Sequence, residues 1–194
     1  MKTSIAVSAL VLACQTLAQT PTGFTPSVAA HLDVIFGSKV VNPPGTPLSK
    51  SDTSRQPTIG TTIQLNGTYY IWMMIDLDAS TNFANPKAGQ PATYLHTVLR
   101  DLKPSSQKTA SGVYVLSTTA TGPVSWFAPA PPAESPPHPH RYTNLLWEQP
   151  ANWVISQDAN NQLQNKRSGF NVTDFQRAAG LKDPVFANYF NVTG

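Results

Sequence analysis

Apolar side chains alternate with polar ones at Leu32, Val34 and Phe36, the period-2 spacing of a strand that buries one face. The run Asn-Pro-Pro-Gly-Thr-Pro at 42–47 breaks that pattern and has to turn. Residues 61–65 and 68–77 are rich in Thr, Ile and Tyr, and Asn66-Gly67 lies between them. That dipeptide suits a two-residue hairpin, because both central residues of such a turn need positive φ. From Tyr69 to Ile75 nearly every residue is apolar, so this strand is expected in the middle of a sheet with both faces covered. Residues 95–101, 112–117, 141–148 and 185–192 predict further strands. One helix is legible, at 174–179, where Thr173 can cap, Gln176 completes a capping box and Gly180 stops the turn.

Composition makes this a single globular domain. The 194 residues are 40% apolar and 12% charged, about half the usual charge density and too apolar for a disordered chain. The 13 basic against 10 acidic residues leave +3, and only Lys166 and Arg167 stand side by side, so no basic stripe exists to track phosphates. Nucleic acid is therefore not an expected partner. Lys2, an apolar run at 5–12, and the small residues around Thr16, Leu17 and Ala18 read as a secretory signal peptide over residues 1–18. Residues 19–194 are then the mature domain, and no apolar run is long enough for a transmembrane helix. Cys14 is the single cysteine and leaves with the signal, so neither disulfide nor thiol chemistry is expected. Sequons at Asn66, Asn171 and Asn191 agree with a secreted or vacuolar destination and mark candidate glycosylation sites.

Residues 128–140 hold six prolines and are expected to form a stiff loop over a sheet edge. Nucleophile elbows, zinc-protease helices, phosphate-binding glycine loops and paired-cysteine motifs are all missing from the sequence, which leaves most named enzyme classes without support. What remains is polar chemistry at the ends of apolar strands: Asp76 and Asp78, His96, and the run His140-Arg141-Tyr142. On an extended strand Asp76 and Asp78 share a face, as do His140 and Tyr142, so each pair can line one side of a pocket. The plainer reading of the two aspartates is a turn held with Arg141 as counter-ion, and that of His96 is a satisfied core histidine. His138 and His140 have a spacing that permits a shared metal, but Pro139 lies between them and no closed ligand set accompanies them, so neither metal nor cofactor is expected.

Asp76-Leu77-Asp78-Ala79-Ser80, Tyr94-Leu95-His96, and Pro129-Ala130-Pro131-Pro132 leading to His140-Arg141-Tyr142 resemble, in order and spacing, the phosphatidylethanolamine-binding protein family, here in a secreted, fungal-type form. The family's signatures are Asp-Pro-Asp-Ala-Pro and Gly-x-Pro-Pro before His-Arg-Tyr. Phe170-Asn171, Phe175, Leu181, Pro184-Val185 and Tyr189-Phe190 resemble its closing helix and strand. The resemblance implies a mainly β (α+β) fold, with a large central antiparallel sheet packed on a smaller one and short peripheral helices. It implies that Asp76, His96, Pro132, His140 and Tyr142 line a small anion-accepting pocket, with Asp78 and Arg141 structural beside it. Two departures bear on the rim: Leu77 and Ser80 replace prolines, and the loop before His140 is about two residues longer, with His138 and Pro139 added.

Three functions follow as expectations. The leading one is a non-enzymatic binding protein for a small anion, a phosphate or a phospholipid head group, with the histidines and Tyr142 donating and Asp76 accepting. Its affinity would fall as both histidines lose charge near pH 6.5. The second, drawn from fungal members of the family, is inhibition of a serine carboxypeptidase, with residues 19–28 as a candidate arm. The third is acid–base catalysis on a small metabolite by Asp76 with His96 or His140.

Overall fold

The computed structural model describes residues 18–194, so Cys14 and all but the last residue of the expected signal peptide lie outside the described residues. Along the chain come β1 (Asp33–Phe36), β2 (Lys39–Val40), β3 (Thr46–Leu48), β4 (Thr58–Thr61) and β5 (Tyr70–Ser80). A 3-10 turn at Pro86–Ala88 leads to β6 (Pro91–Lys108), β7 (Tyr114–Ser117), β8 (Pro123–Val124) and β9 (Pro139–Glu148). Helices α1 (Gln157–Asn165) and α2 (Val172–Ala178) precede β10 (Phe186–Thr193).

The strand order β2-β1-β4-β7-β6-β5-β9-β10-β3 traces one curled surface, with β8 beside β6. Among the described strands every pairing is antiparallel except that of β3 with β10. β6 is long enough to serve both parts: its first half pairs with β5 in the large sheet, and its second half pairs with β7 in the small one. This is the mainly β fold the sequence implied.

β5 shows why its sequence is apolar throughout. Tyr70, Trp72 and Met74 point into a core shared with Leu32 and with Val34 and Ile59 of the small sheet, while Ile71, Met73 and Ile75 pack under Leu163 of α1 and Phe175 of α2. Trp72 is fully buried, stacks on Trp126 with centroids 6.1 Å apart, and donates its indole N–H to Asn144 Oδ1 at 3.1 Å. Both faces are therefore lined, and no position is left for polar alternation.

Four expectations need correction. No hairpin joins residues 61–65 to 68–77: β4 pairs with β1 and β7, not with β5. Neither Asn66 nor Gly67 has positive φ; the Gly67 N–H instead donates to the Tyr70 hydroxyl at 3.0 Å, and that ring sits where a Gly67 side chain would. The segment is an irregular passage from one sheet to the other. Helix α2 is capped by Asn171, whose Oδ1 accepts the Asp174 N–H at 3.1 Å, rather than by Thr173. Gln176 accepts from the Trp147 indole at 3.3 Å, so it is not free for a capping box. Gly180 does stop the helix, at φ 66. Helix α1 went unread because it buries only Ala159 and Leu163, too thin a stripe to register as periodic; Ser156 caps it by accepting the Ala159 N–H at 3.0 Å. Finally, residues 19–28 are folded onto the body: the Gln19 N–H donates to Val28 O at 2.7 Å, and Val28 is buried in the core.

Candidate functional site

The ladder between β5 and β9 ends at the pair Asp76–Tyr142, and the pairing of β5 with β6 becomes irregular between Asp76 and Ala79. Strands that stop pairing splay apart, and the proline-rich loop closes over the gap. A cavity of about 240 Å³ results. Asp76 from β5, His96 from β6, Pro132 from the loop, and His140 and Tyr142 from β9 all line it. The five pocket residues implied by the resemblance are thus brought to one place.

The same irregularity separates the two aspartates that strand geometry put on one face. Asp76 is on the cavity, whereas Asp78 turns away to Arg141. Asp78 accepts the Arg141 backbone N–H at 2.8 Å, Nε at 2.8 Å and Nη2 at 2.7 Å, a bidentate clamp between β5 and β9. Burial alone would raise the Asp78 pKa, but the hydrogen bonds and charge of Arg141 outweigh it and hold the carboxyl below its ordinary value. A carboxylate whose folded pKa lies below its unfolded one adds stability above the unfolded value of about 3.9, and that stability disappears as pH falls through the folded pKa. Acid urea denaturation should therefore show the wild type losing more stability between pH 5 and pH 2 than Asp78→Asn; parallel curves would exclude a stabilising clamp.

Asp76 accepts from two protein donors. Its Oδ1 accepts the Asp78 N–H at 2.8 Å, and its Oδ2 meets His140 Nδ1 at 2.8 Å. The Tyr142 hydroxyl is held far above its ordinary pKa by burial first, then by the charge of Asp76 and a hydrogen bond to it, so it stays protonated. Asp76 therefore organises its neighbours, and as a carboxylate lining the cavity it keeps lone pairs beyond those two bonds. For His140, burial pulls the pKa down, but the hydrogen bond and charge of Asp76, with Glu134 and Asp78 behind it, bring the net shift upward. Its Nε2 is buried and has no hydrogen-bond partner among the described residues.

His96 goes the other way. Its Nδ1 lies 2.8 Å from Phe127 O, and a carbonyl only accepts, so Nδ1 carries the proton and Nε2 the lone pair. Burial depresses its pKa below the usual value. The two histidines are therefore split, and a common transition near pH 6.5 is not expected.

Several lining residues were missed in the sequence. Phe83, Tyr94 and Phe127 form an aromatic wall, with Phe83 and Tyr94 edge-on at 5.2 Å and His96 stacked on Phe127 at 5.3 Å. Arg167 lies over Tyr94 and Phe127 and anchors its guanidinium on the Leu95 and His96 carbonyls. Glu134 faces the cavity with Oε1 3.7 Å from His140 Nε2. Aromatics scattered over distant segments leave no sequence pattern; Glu134, the single acid in the proline-rich stretch, was a signal that went unused.

Comparisons with known proteins establish the family and the fold. A family model described as phosphatidylethanolamine-binding protein matches residues 37–190. The chain is 29% identical over 197 residues to phomoidride biosynthesis cluster protein N of Talaromyces stipitatus, covering 94% of this chain and 93% of that protein. In fold it is similar to a carboxypeptidase Y inhibitor solved in complex with its cognate proteinase, at 20% identity and TM-score 0.59 over 86% of this chain and 84% of that one. It is also similar to the phosphatidylethanolamine-binding protein of Plasmodium vivax, at 18% identity and TM-score 0.53 over 83% of each chain. The chain belongs to the phosphatidylethanolamine-binding protein family.

Proposed function

We propose that this family member binds a small organic anion, with its oxyanion at His140 Nε2 and its carbon body against the aromatic wall. The observation that carries the reading is a buried imidazole nitrogen, without a hydrogen bond among the described residues, at the polar end of a cavity walled on its apolar side by Phe83, Tyr94, Phe127, Pro131 and Pro132. Buried polar atoms are nearly always paired, so one without a hydrogen bond on a cavity-lining residue is suited to a ligand atom. Size sets the class: a cavity of about 150 Å³ takes benzene, so the ~240 Å³ here takes an aryl or short alkyl group with one phosphate or carboxylate. A phospholipid would enter by its head group alone.

Isothermal titration in EDTA with phenyl phosphate and with inorganic phosphate tests this. Burying the ring should make phenyl phosphate bind about tenfold or more tightly than phosphate. Phe83 and Phe127 are 55% and 48% exposed and close on a ring only at the mouth, so Phe127→Ala should narrow that gap. Equal affinity for the two probes, or none for either, contradicts the reading. Passage through the secretory route is part of the same proposal and rests on residues 1–18 and the sequons. Asn66 and Asn171 are exposed, but Asn191 Nδ2 donates to Gly45 O at 3.1 Å, so Asn66 and Asn171 are the better acceptors.

A second reading makes the cavity catalytic, with His96 as base. Its Phe127-fixed tautomer and depressed pKa suit that role, and the relative named for a biosynthesis cluster favours it. Deuterium exchange into a bound carbonyl compound, lost in His96→Gln while binding persists, would support it; no exchange in the wild type removes it. Carboxypeptidase inhibition rests on fold likeness to the carboxypeptidase Y inhibitor, and unchanged hydrolysis by a serine carboxypeptidase in the presence of the protein would remove it.

A further inference from the structure

We propose that Glu134, His138 and His140 form a site for one transition-metal ion of the Zn²⁺ type at the rim of the cavity. One ligand atom from each residue lies within 4.8 Å of the other two. His140 Nε2 stands 3.7 Å from Glu134 Oε1, and His138 Nδ1 stands 3.9 Å from Glu134 Oε2. Those separations are too long for hydrogen bonds, so three polar groups converge without bonding one another. Around a tetrahedral ion with bonds of about 2.0–2.2 Å, ligand atoms sit about 3.4 Å apart. A modest inward turn of the exposed His138 and the half-buried Glu134 closes the set.

An independent observation points the same way. His140 is 3% exposed, its Nε2 has no hydrogen-bond partner among the described residues, and its other nitrogen is bound to Asp76 Oδ2 at 2.8 Å. A carboxylate on the far nitrogen is what fixes the orientation of a metal-ligating imidazole and raises its basicity. Two imidazoles and one carboxylate select Zn²⁺ and its neighbours over Mg²⁺ or Ca²⁺, which take oxygen ligands. Sequence reading stopped at the His138–His140 pair because the third ligand lies across two prolines, and only the folded loop brings it in. Three protein ligands leave a fourth position for water. A metal ion on His140 Nε2 replaces the proton that would donate to the anion, so where the pocket reading holds, and this clause alone rests on it, the ligand's oxyanion bonds the ion in place of Nε2.

The test is titration of the EDTA-stripped, dialysed full chain with Zn²⁺, and with Co²⁺ to read the ligand set from its visible absorption. One equivalent should bind, Mg²⁺ should not compete, and Glu134→Gln and His138→Ala should each weaken Zn²⁺ by about tenfold or more. His138→Ala, whose side chain does not line the cavity, should keep phenyl phosphate binding measured in EDTA. No Zn²⁺ uptake at micromolar concentration, or uptake unaltered in both variants, overturns the site. If phenyl phosphate binds in EDTA and Zn²⁺ does not, the metal site falls and the pocket stands. If Zn²⁺ binds and is lost in the variants while phenyl phosphate never binds, the metal site stands and the pocket falls.

Discussion

Asp76→Ala is expected to lower the free energy of unfolding by about 3–5 kcal/mol, as removal of one partner from a buried ion pair generally does. The residue is 3% exposed and takes bonds from the Asp78 N–H and from His140 Nδ1, with the Tyr142 hydroxyl beside it. Alanine leaves a backbone donor, an imidazole and a phenol buried with nothing to accept from them, and each such group carries a desolvation cost of about 1–3 kcal/mol. Water entering from the cavity offsets part of that cost. Asp76→Asn keeps the volume but turns an amide donor toward one of these donors, so its loss should be smaller yet still measurable. Urea denaturation of the three proteins reads both effects. A loss under about 1 kcal/mol for the alanine variant would mean that the network does not hold the site together.

The second large effect is on binding. His140→Ala should weaken phenyl phosphate by roughly 100-fold, about 2.7 kcal/mol, the scale of one hydrogen bond to a charged group in a dry site. The variant also strands Asp76, so circular dichroism and a denaturation curve must accompany the titration. His96→Gln supplies the contrast. Its ring donates inward to Phe127 O and is not the proposed anchor, so a loss well below that of His140→Ala is expected. Equal losses would assign the anion to the cavity as a whole and not to one nitrogen.

The strand framework was legible because burial writes directly into sequence. The apolar run 69–75 could only be a strand covered twice, and the packing of Trp72 and Met73 into opposite cores is the reason. The errors fall where local signals met tertiary contacts. Asn66-Gly67 has the chemistry of a hairpin turn, but the Tyr70 hydroxyl takes the Gly67 N–H and the next ladder belongs to other strands. Thr173 fits a cap motif, but Asn171 two residues earlier reaches Asp174. At the site, the five residues suggested by motif order do share one cavity. Their division of labour was not legible. That Asp76 takes bonds from protein donors, that His96 and His140 shift in opposite directions, and that Glu134 faces His140 all follow from burial and from a bulge. A bulge leaves no mark in a period-2 pattern.

The most direct test of the account is the ¹⁵N resonance of His140 Nε2 in the metal-free protein during titration with phenyl phosphate. Saturable movement of that signal, larger than any change at His96, is the predicted result. Saturable binding seen by calorimetry while the His140 signal stays fixed would contradict it, since the anion would then be held elsewhere.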